Sequence, residues 1–304
     1  MTLFIYGDVN RDLCLTVREV PAAGADAEVT EMAFTAGGSA ANTACIAARL
    51  GTDTQLIGLL GDDEQADSLL YDLVVHDVRT HYLRRVSGYS GMVTAIIDAT
   101  GERTFLSYRG VNARLPYGDL PANMLTEGDH LHISGYSFQT EHSSNTAIEL
   151  MAQARQAGAS VSLDASYLFA RDYAANALIS RVDYLIPNEE EARLLTGQER
   201  LEEAAEALVL RGVPTVLIKA GARGCYLRTV EHKTWLPAYP VTRIVDTIGA
   251  GDAFCGGFMA ATLRHHDPVF AARIGMAAAS RVIQQVGGHT GAPTWEQVLA
   301  IVNP

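Results

Sequence analysis

Residues 246–258 read Asp-Thr-Ile-Gly-Ala-Gly-Asp-Ala-Phe-Cys-Gly-Gly-Phe, and this run restricts the fold more than any other stretch of the chain. Gly249, Ala250 and Gly251 precede an acid, Asp252, and small or apolar residues follow it (Ala253, Phe254, Gly256, Gly257, Phe258, Met259). The pattern predicts a glycine-rich turn opening onto a tightly packed helix. A helix start leaves its first backbone N–H groups without intrahelical partners, and the helix dipole adds partial positive charge there. The product is a ready anion site. Asp252 could simply cap the helix, but a cap needs one short polar side chain, not a backbone bared by two glycines. An acid beside an anion-binding turn suits phosphoryl transfer. The amides stabilise charge on the moving group while the acid takes a proton from an attacking hydroxyl.

A second run, Gly37-Gly38-Ser39-Ala40-Ala41-Asn42-Thr43-Ala44, reads as a turn before an Ala-rich helix. Ser39 is the expected cap, and Gly51 ends the helix. The glycine pair would let a ligand approach the backbone, and Asn42 offers both a donor and an acceptor to hydroxyls. Taken alone, an ordinary turn before a core helix explains these residues equally well. Near the N-terminus, residues 3–6 form a short apolar run that stops at Gly7-Asp8, as a buried strand would. Ligands of open α/β sheets bind beyond the carboxyl ends of strands, which places Asp8, Asn10 and Asp12 for a polyol. An Asx turn is the plainer alternative.

Residues 13–20 and 28–36 alternate polar and apolar positions around a turn, as half-buried strands do, and 91–98 with 103–109 read as a hairpin. A strand over 54–60 leads into a helix expected from Gly61-Asp62-Asp63 to about His76. Beyond it come a strand at 130–134, a helix at 141–157, strands at 160–164 and 184–186, helices at 189–195 and 201–211, and a strand at 215–219. An edge hairpin (224–229 with 232–236) and helices over 267–286 and 295–302 complete the chain. Strands separated by helices of this length predict an α/β fold, with a doubly wound, mostly parallel central sheet flanked by helices. No repeat or linker divides residues 1–304, which read as a single domain. His130 and His132 face one side of their strand, but without a third ligand nearby a structural role is expected.

Composition narrows the partners. With 48% hydrophobic and 19% charged residues the chain is globular with a large core, and a net charge of -12 argues against a nucleic-acid partner. A local cluster of N–H groups and one or two cations could still hold a small anion. Cys14, Cys45, Cys225 and Cys255 show no CxxC spacing, so reduced thiols are expected instead of disulfides or zinc. No apolar stretch approaches membrane-spanning length and no basic leader is evident, so a cytoplasmic protein without a membrane partner is expected. The P-loop, GxGxxG, HExxH and GxSxG patterns are all missing.

Together, the 246–258 and 37–51 runs closely resemble the two signatures of the ribokinase-like (PfkB-type) carbohydrate kinases, and the resemblance spans essentially the whole chain. It implies that the 12–36 and 91–109 strands form a small β-sheet lid. It also implies ATP-dependent phosphorylation of a primary hydroxyl on a small sugar or sugar acid. Asp252 would be the catalytic base, and Gly249, Ala250 and Gly251 the anion hole. Asn10-Arg11-Asp12 matches the family's Asn-x-Asp, so Asn10, Asp12, Gly37, Gly38 and Asn42 are expected to hold the sugar, with Arg109 of the lid pointing at it. Asn188 and Glu191 fit the family's Asn-x-x-Glu, acting on nucleotide phosphates and on Mg²⁺ through water. For Glu189 and Glu190, complementing the helix dipole is explanation enough. Lys219, Gly221 and Gly224 resemble the loop along ATP. A monovalent cation, K⁺, is implied near the anion hole, surrounded by Asp246, Ile248 and the 286–291 loop.

Two departures matter. Ala66 stands where the family usually closes Gly-Asp-Asp-x-x-Gly, a local packing change. Asp164-Ala165-Ser166-Tyr167-Leu168 replaces the Asp-x-Asn-x-Arg of many fructokinases, so no substrate carries over from those subfamilies. The rival readings are a nucleoside kinase of the same fold and a catalytically idle sugar-binding regulator. A homodimer through the lid is an assembly the resemblance leaves open.

Overall fold

Short apolar runs and the helices between them build two sheets in a computed structural model, which describes residues 1–114, 120–172 and 176–303. In chain order the strands are β1 (Leu3–Tyr6), β2 (Asn10–Val17), β3 (Val29–Gly37), β4 (Thr54–Leu60), β5 (Arg79–Arg85), β6 (Gly91–Ile97) and β7 (Arg103–Tyr108). They continue as β8 (His130–Ser134), β9 (Ser160–Asp164), β10 (Tyr184–Leu185), β11 (Thr215–Lys219), β12 (Cys225–Thr229) and β13 (Lys233–Leu236). The helices include α1 (Ser39–Arg49), α2 (Ala66–Val75), α3 (Glu141–Ala157), α4 (Tyr167–Arg171) and α5 (Glu189–Thr196). After them come α6 (Leu201–Leu210), α7 (Ala250–Thr262), α8 (Pro268–Val282) and α9 (Trp295–Val302).

The large sheet runs β13-β12-β11-β10-β9-β8-β1-β4-β5, with every pairing from β11 to β5 parallel and the β12–β13 hairpin antiparallel. From β1 the chain steps outward through β4 to β5, then returns to β8 on the other side of β1. That reversal opens a crevice beyond the carboxyl ends of β1 and β8, where ligands of such sheets bind. Alternate residues of β1 feed opposite cores. Leu3 and Ile5 pack with α1, α2, α7 and α8, whereas Phe4 and Tyr6 pack with α3, α4, α5 and α6. Helices therefore cover both faces, as expected. The four-stranded sheet runs β3-β2-β6-β7 and brings β7 residues over the crevice.

Close packing of small residues positions α7. A Cβ on Gly257 would lie 2.8 Å from the Cα of Gly275 in α8, and one on Gly256 would lie 2.8 Å from the Thr43 carbonyl of α1. The alanine- and glycine-rich composition of α1, α7 and α8 thus lets three backbones nest, and it fixes the start of α7 against the start of α1.

Several expectations shift. β5 is a strand the sequence pattern does not announce, because an edge strand of sequence Arg-Thr-His-Tyr-Leu-Arg-Arg is polar along much of its length. α2 begins at Ala66 instead of Gly61, because an Asp63 carboxylate oxygen accepts from the Gln65 and Ala66 amides and holds the preceding residues in a turn. Ser39 is not a cap. Gly38 takes that position at φ 99, a conformation that favours glycine, and its absent Cβ would lie 2.4 Å from the Asp8 carbonyl. His130 and His132 bond the Ser160 and Ser162 hydroxyls at 2.7 Å, and burial pushes both imidazoles down to about 3. No helix among the described residues is long and apolar enough to cross a membrane.

Candidate active site

Asp252 sits in the first turn of α7, with both carboxylate oxygens held from α1. Ser39 Oγ donates to Oδ1 and Asn42 Nδ2 donates to Oδ2, each at 2.8 Å. Burial, then the charge of Asp164, pushes its carboxyl up to about 6 against the pull of Asn42, Ser39 and Lys219. Such a group is ionised at neutral pH yet basic enough to accept a proton. Gly249 caps the helix at φ 75, and a Cβ there would lie 2.2 Å from the Gly288 carbonyl. The Ala250 amide turns back to Thr247 O and the Ala253 amide bonds Gly249 O. The intervening amides of Gly251 and Asp252 belong to residues lining a cleft of about 630 Å³.

The expected sugar-side residues converge on that cleft. Asp8, Asn10, Asp12, Gly38, Asn42 and Arg109 all line it with Asp252. Asp12 is buried, its Oδ1 has no hydrogen-bond partner, and burial with the nearby Asp252 charge pushes its carboxyl up to about 7. Gly37, at the end of β3, makes room for it, since a Cβ there would lie 2.1 Å from Asp12 Oδ2. Asn10 Oδ1 accepts from Asn112 Nδ2 at 2.9 Å. Arg109 is not a free fork. Its Nη1 and Nη2 each reach an Asp8 carboxylate oxygen at 2.9 Å, and Nη1 also reaches Gln139 Oε1 at 2.9 Å.

On the other side of the helix start, Lys219 at the end of β11 pairs with Asp164 at the end of β9. A Cβ on Gly251 would lie 3.2 Å from Lys219 Nζ, so the lysine stands beside the glycine turn that opens α7. Asn188 and Glu191 form a reciprocal capping box at the start of α5: Asn188 N donates to Glu191 Oε2 at 2.8 Å, and Glu191 N to Asn188 Oδ1 at 2.9 Å. Burial pushes Glu191 up to about 7 against the pull of Lys219, with Asp164 pushing the same way as burial. Three carboxylates (Asp164, Glu191, Asp252) thus share the field of one lysine. That surplus of negative charge fits a divalent cation here. Gly221 sits at φ +55 over open space, whereas Gly224 is dictated by packing, its Cβ position lying 2.0 Å from the Leu236 carbonyl.

The monovalent cation fits poorly. Asp246 Oδ1 takes Arg103 at 2.9 Å and the Ile248 amide at 2.9 Å, and Oδ2 takes the Gly287 amide at 2.9 Å. Arg103 also donates to Thr247 Oγ1 at 2.5 Å. The lid supplies a fixed positive charge where K⁺ was expected.

Sequence reasoning missed the partners. Asp8–Arg109, Asp164–Lys219, Asp246–Arg103 and Asn42–His289 each join residues from distant parts of the chain, and no local pattern links them. The available signal was charge at strand ends, which marked Asp8, Asp164 and Lys219 without saying what they meet.

An acid held against a helix start, at the rim of a cleft walled by groups suited to hydroxyls, can move a phosphoryl group onto an alcohol. Comparison with known proteins gives the class. The chain belongs to the pfkB family of carbohydrate kinases, whose family model matches residues 2–295. A ribokinase of Staphylococcus aureus is 30% identical over 304 residues, covering 97% of this chain and 97% of its own. An ATP-dependent ribose-1-phosphate kinase of Halopiger xanaduensis is 30% identical over 299 residues, covering 98% of this chain and 96% of its own. The crystal structure of a ribokinase from Thermotoga maritima superposes with a TM-score of 0.87 at 28% identity, covering 100% of this chain and 99% of that one. This protein is accordingly a sugar kinase of ribokinase fold, and membership of the family implies use of ATP.

Proposed function

We propose that this kinase phosphorylates a primary hydroxyl of a small neutral sugar, with Asp252 as the base and the Gly249–Gly251 turn as the anion hole. One observation carries the reading: Asp252, clamped by Ser39 and Asn42, lines the same cleft as the unpartnered carboxylate oxygen of Asp12. A buried acceptor without a partner is costly, and a sugar hydroxyl would satisfy it. Bound MgATP supplies the phosphoryl group. Asn10, Asp12 and the backbone beside Gly38 orient the sugar. Asp252 accepts the hydroxyl proton as the new bond forms, because an alcohol cannot ionise beforehand near neutral pH. The amides at the start of α7 and Lys219 stabilise the charge that develops, and Glu191 would hold Mg²⁺ through water.

A sugar acid is the weaker candidate, because Asp8 already neutralises the Arg109 fork. A nucleoside is the second reading, favoured by Phe105, Tyr108, Tyr136 and Leu168, which give the cleft an apolar wall able to face a base. An idle regulator would not need the clamped acid. Measuring ATP consumption across neutral sugars, sugar acids and nucleosides tests the proposal. Turnover confined to sugar acids, or none on any acceptor, would overturn it.

A further inference from the structure

Behind the clamp on Asp252, α1, α2 and the loop after α8 bring together Cys45, Asp72, His76 and His289. Each offers one metal-binding atom, and these atoms all lie within 4.8 Å of one another. Asp72 in the last turn of α2 and His76, which caps that helix, are neighbours at i and i+4, while Cys45 faces the core from α1. Cysteine spacing conceals the cluster, because only one cysteine takes part and the other ligands are contributed by different elements.

The hydrogen bonds show which nitrogen of each histidine is tied to the protein. His289 Nδ1 lies 2.8 Å from Asn42 Oδ1, and His76 Nδ1 lies 2.8 Å from the Asp72 backbone carbonyl. Both acceptors are oxygens without a proton, so each Nδ1 carries a hydrogen and each Nε2 is the candidate ligand, that of His289 giving up the proton it now shares with Asp72 when it binds. Metal-ligating histidines are oriented by this kind of bond to a carbonyl or carboxylate. His289 Nε2 already lies 2.7 Å from Asp72 Oδ2, a contact that a cation can replace by taking one ligand from each. The rings of His76 and His289 meet edge to face at 4.9 Å. Cys45 and His289 are buried while Asp72 and His76 are partly exposed, which leaves an entry path from solvent.

We propose that Cys45 Sγ, the Asp72 carboxylate, His76 Nε2 and His289 Nε2 form a four-coordinate site for a divalent transition metal of the zinc class. One thiolate, two imidazoles and one carboxylate suit such an ion, and four protein ligands make the site structural, with no open position for a substrate. Binding exchanges the protons of the Cys45 thiol and of His289 Nε2 for the cation. The ion acts at a distance on the active site. It fixes His289, whose Nδ1–H holds Asn42, whose amide in turn holds Asp252. His289 and the metal are positioning elements and touch no reacting atom.

The test needs no catalytic activity, so it stands or falls separately from the kinase reading. The full chain, stripped with a chelator and kept free of nucleotide, is titrated with Co²⁺ as a spectroscopic substitute for Zn²⁺. We expect one Co²⁺ per chain, thiolate-to-cobalt charge-transfer absorption, the intense visible bands of four-coordinate cobalt, and displacement of all of them by Zn²⁺. Cys45→Ser should abolish the charge-transfer band. His76→Ala, at a partly exposed position that spares the core, should weaken binding about ten-fold or more. Circular dichroism melts of both variants establish that they are folded. Cobalt bound without a thiolate band in the wild type, or with unchanged affinity in folded His76→Ala, would overturn the site.

Discussion

Arg109 and Asp8 form a two-pronged ion pair at the cleft, with Nη1 2.9 Å from Oδ2 and Nη2 2.9 Å from Oδ1. The sequence suggested an arginine whose fork would point at the substrate; the fork instead closes on Asp8, beyond the end of β1, and ties the lid to the large sheet. Removing one partner of a buried pair leaves an uncompensated charge, at a cost of about 3–5 kcal/mol. Arg109→Ala should therefore lower the urea midpoint and Tm substantially, and lysine should rescue poorly because it lacks the planar fork. Unchanged stability with a sugar KM raised about ten-fold would instead mark Arg109 as a free substrate-binding group.

The raised carboxyl of Asp252 sets a pH dependence. A base works only when ionised, so kcat/KM should fall as pH drops through about 6 and level off above it. The same shift acts on stability with a definite sign. The folded value lies above the unfolded one, so the stability linked to Asp252 is complete below the unfolded aspartate range and is lost as pH rises through about 6. A rate profile that stays flat through this window would contradict the assignment.

Asp12 should matter to the sugar and not to ATP. Its Oδ1 is buried without a partner, and loss of one charge-assisted contact costs roughly 1.5–3 kcal/mol. Asp12→Asn should raise sugar KM about ten-fold or more with ATP KM nearly unchanged. Glu191→Gln should do the reverse and shift the Mg²⁺ dependence. Initial-rate kinetics in both substrates separate the two, and equal effects on both would dissolve the partition of the cleft.

Much of the fold was legible because its signals are local. The runs that became β1, β8, β9, α3 and β11 carry their own periodicity and breakers, and Gly158 ends α3 in the left-handed conformation a glycine stop requires. The site was legible only in part. Asp252 stood out because its neighbours bare the backbone, but its clamp was hidden: Ser39 looks like a cap in sequence, and only the nesting of α7 on α1 turns its hydroxyl to Asp252. His289 was noticed only as part of the 286–291 loop, and its own role carried no signal, since its meaning depends on α1 and α2 arriving beside it.

Arg103 predicts indifference to potassium. Its guanidinium already lies 2.9 Å from Asp246, so turnover should change little when K⁺ replaces a large organic cation at constant ionic strength. Arg103→Ala should create a K⁺ dependence by emptying that position beside Asp246. Strong K⁺ activation of the wild type would show that Arg103 moves away during turnover.

The most direct measurement is the turnover of Asp252→Asn on the best acceptor, taken together with its Tm near neutral pH. Asparagine keeps the shape, can accept from Asn42 and can donate to Ser39, but it cannot take a proton. One general acid–base group is worth roughly 10²–10⁴-fold, so kcat should fall by that factor while sugar KM stays within a few-fold. Tm should not fall, because the substitution removes a partly desolvated charge whose folded pKa is raised. Near-normal turnover with a lowered Tm would make Asp252 a helix cap and contradict the account.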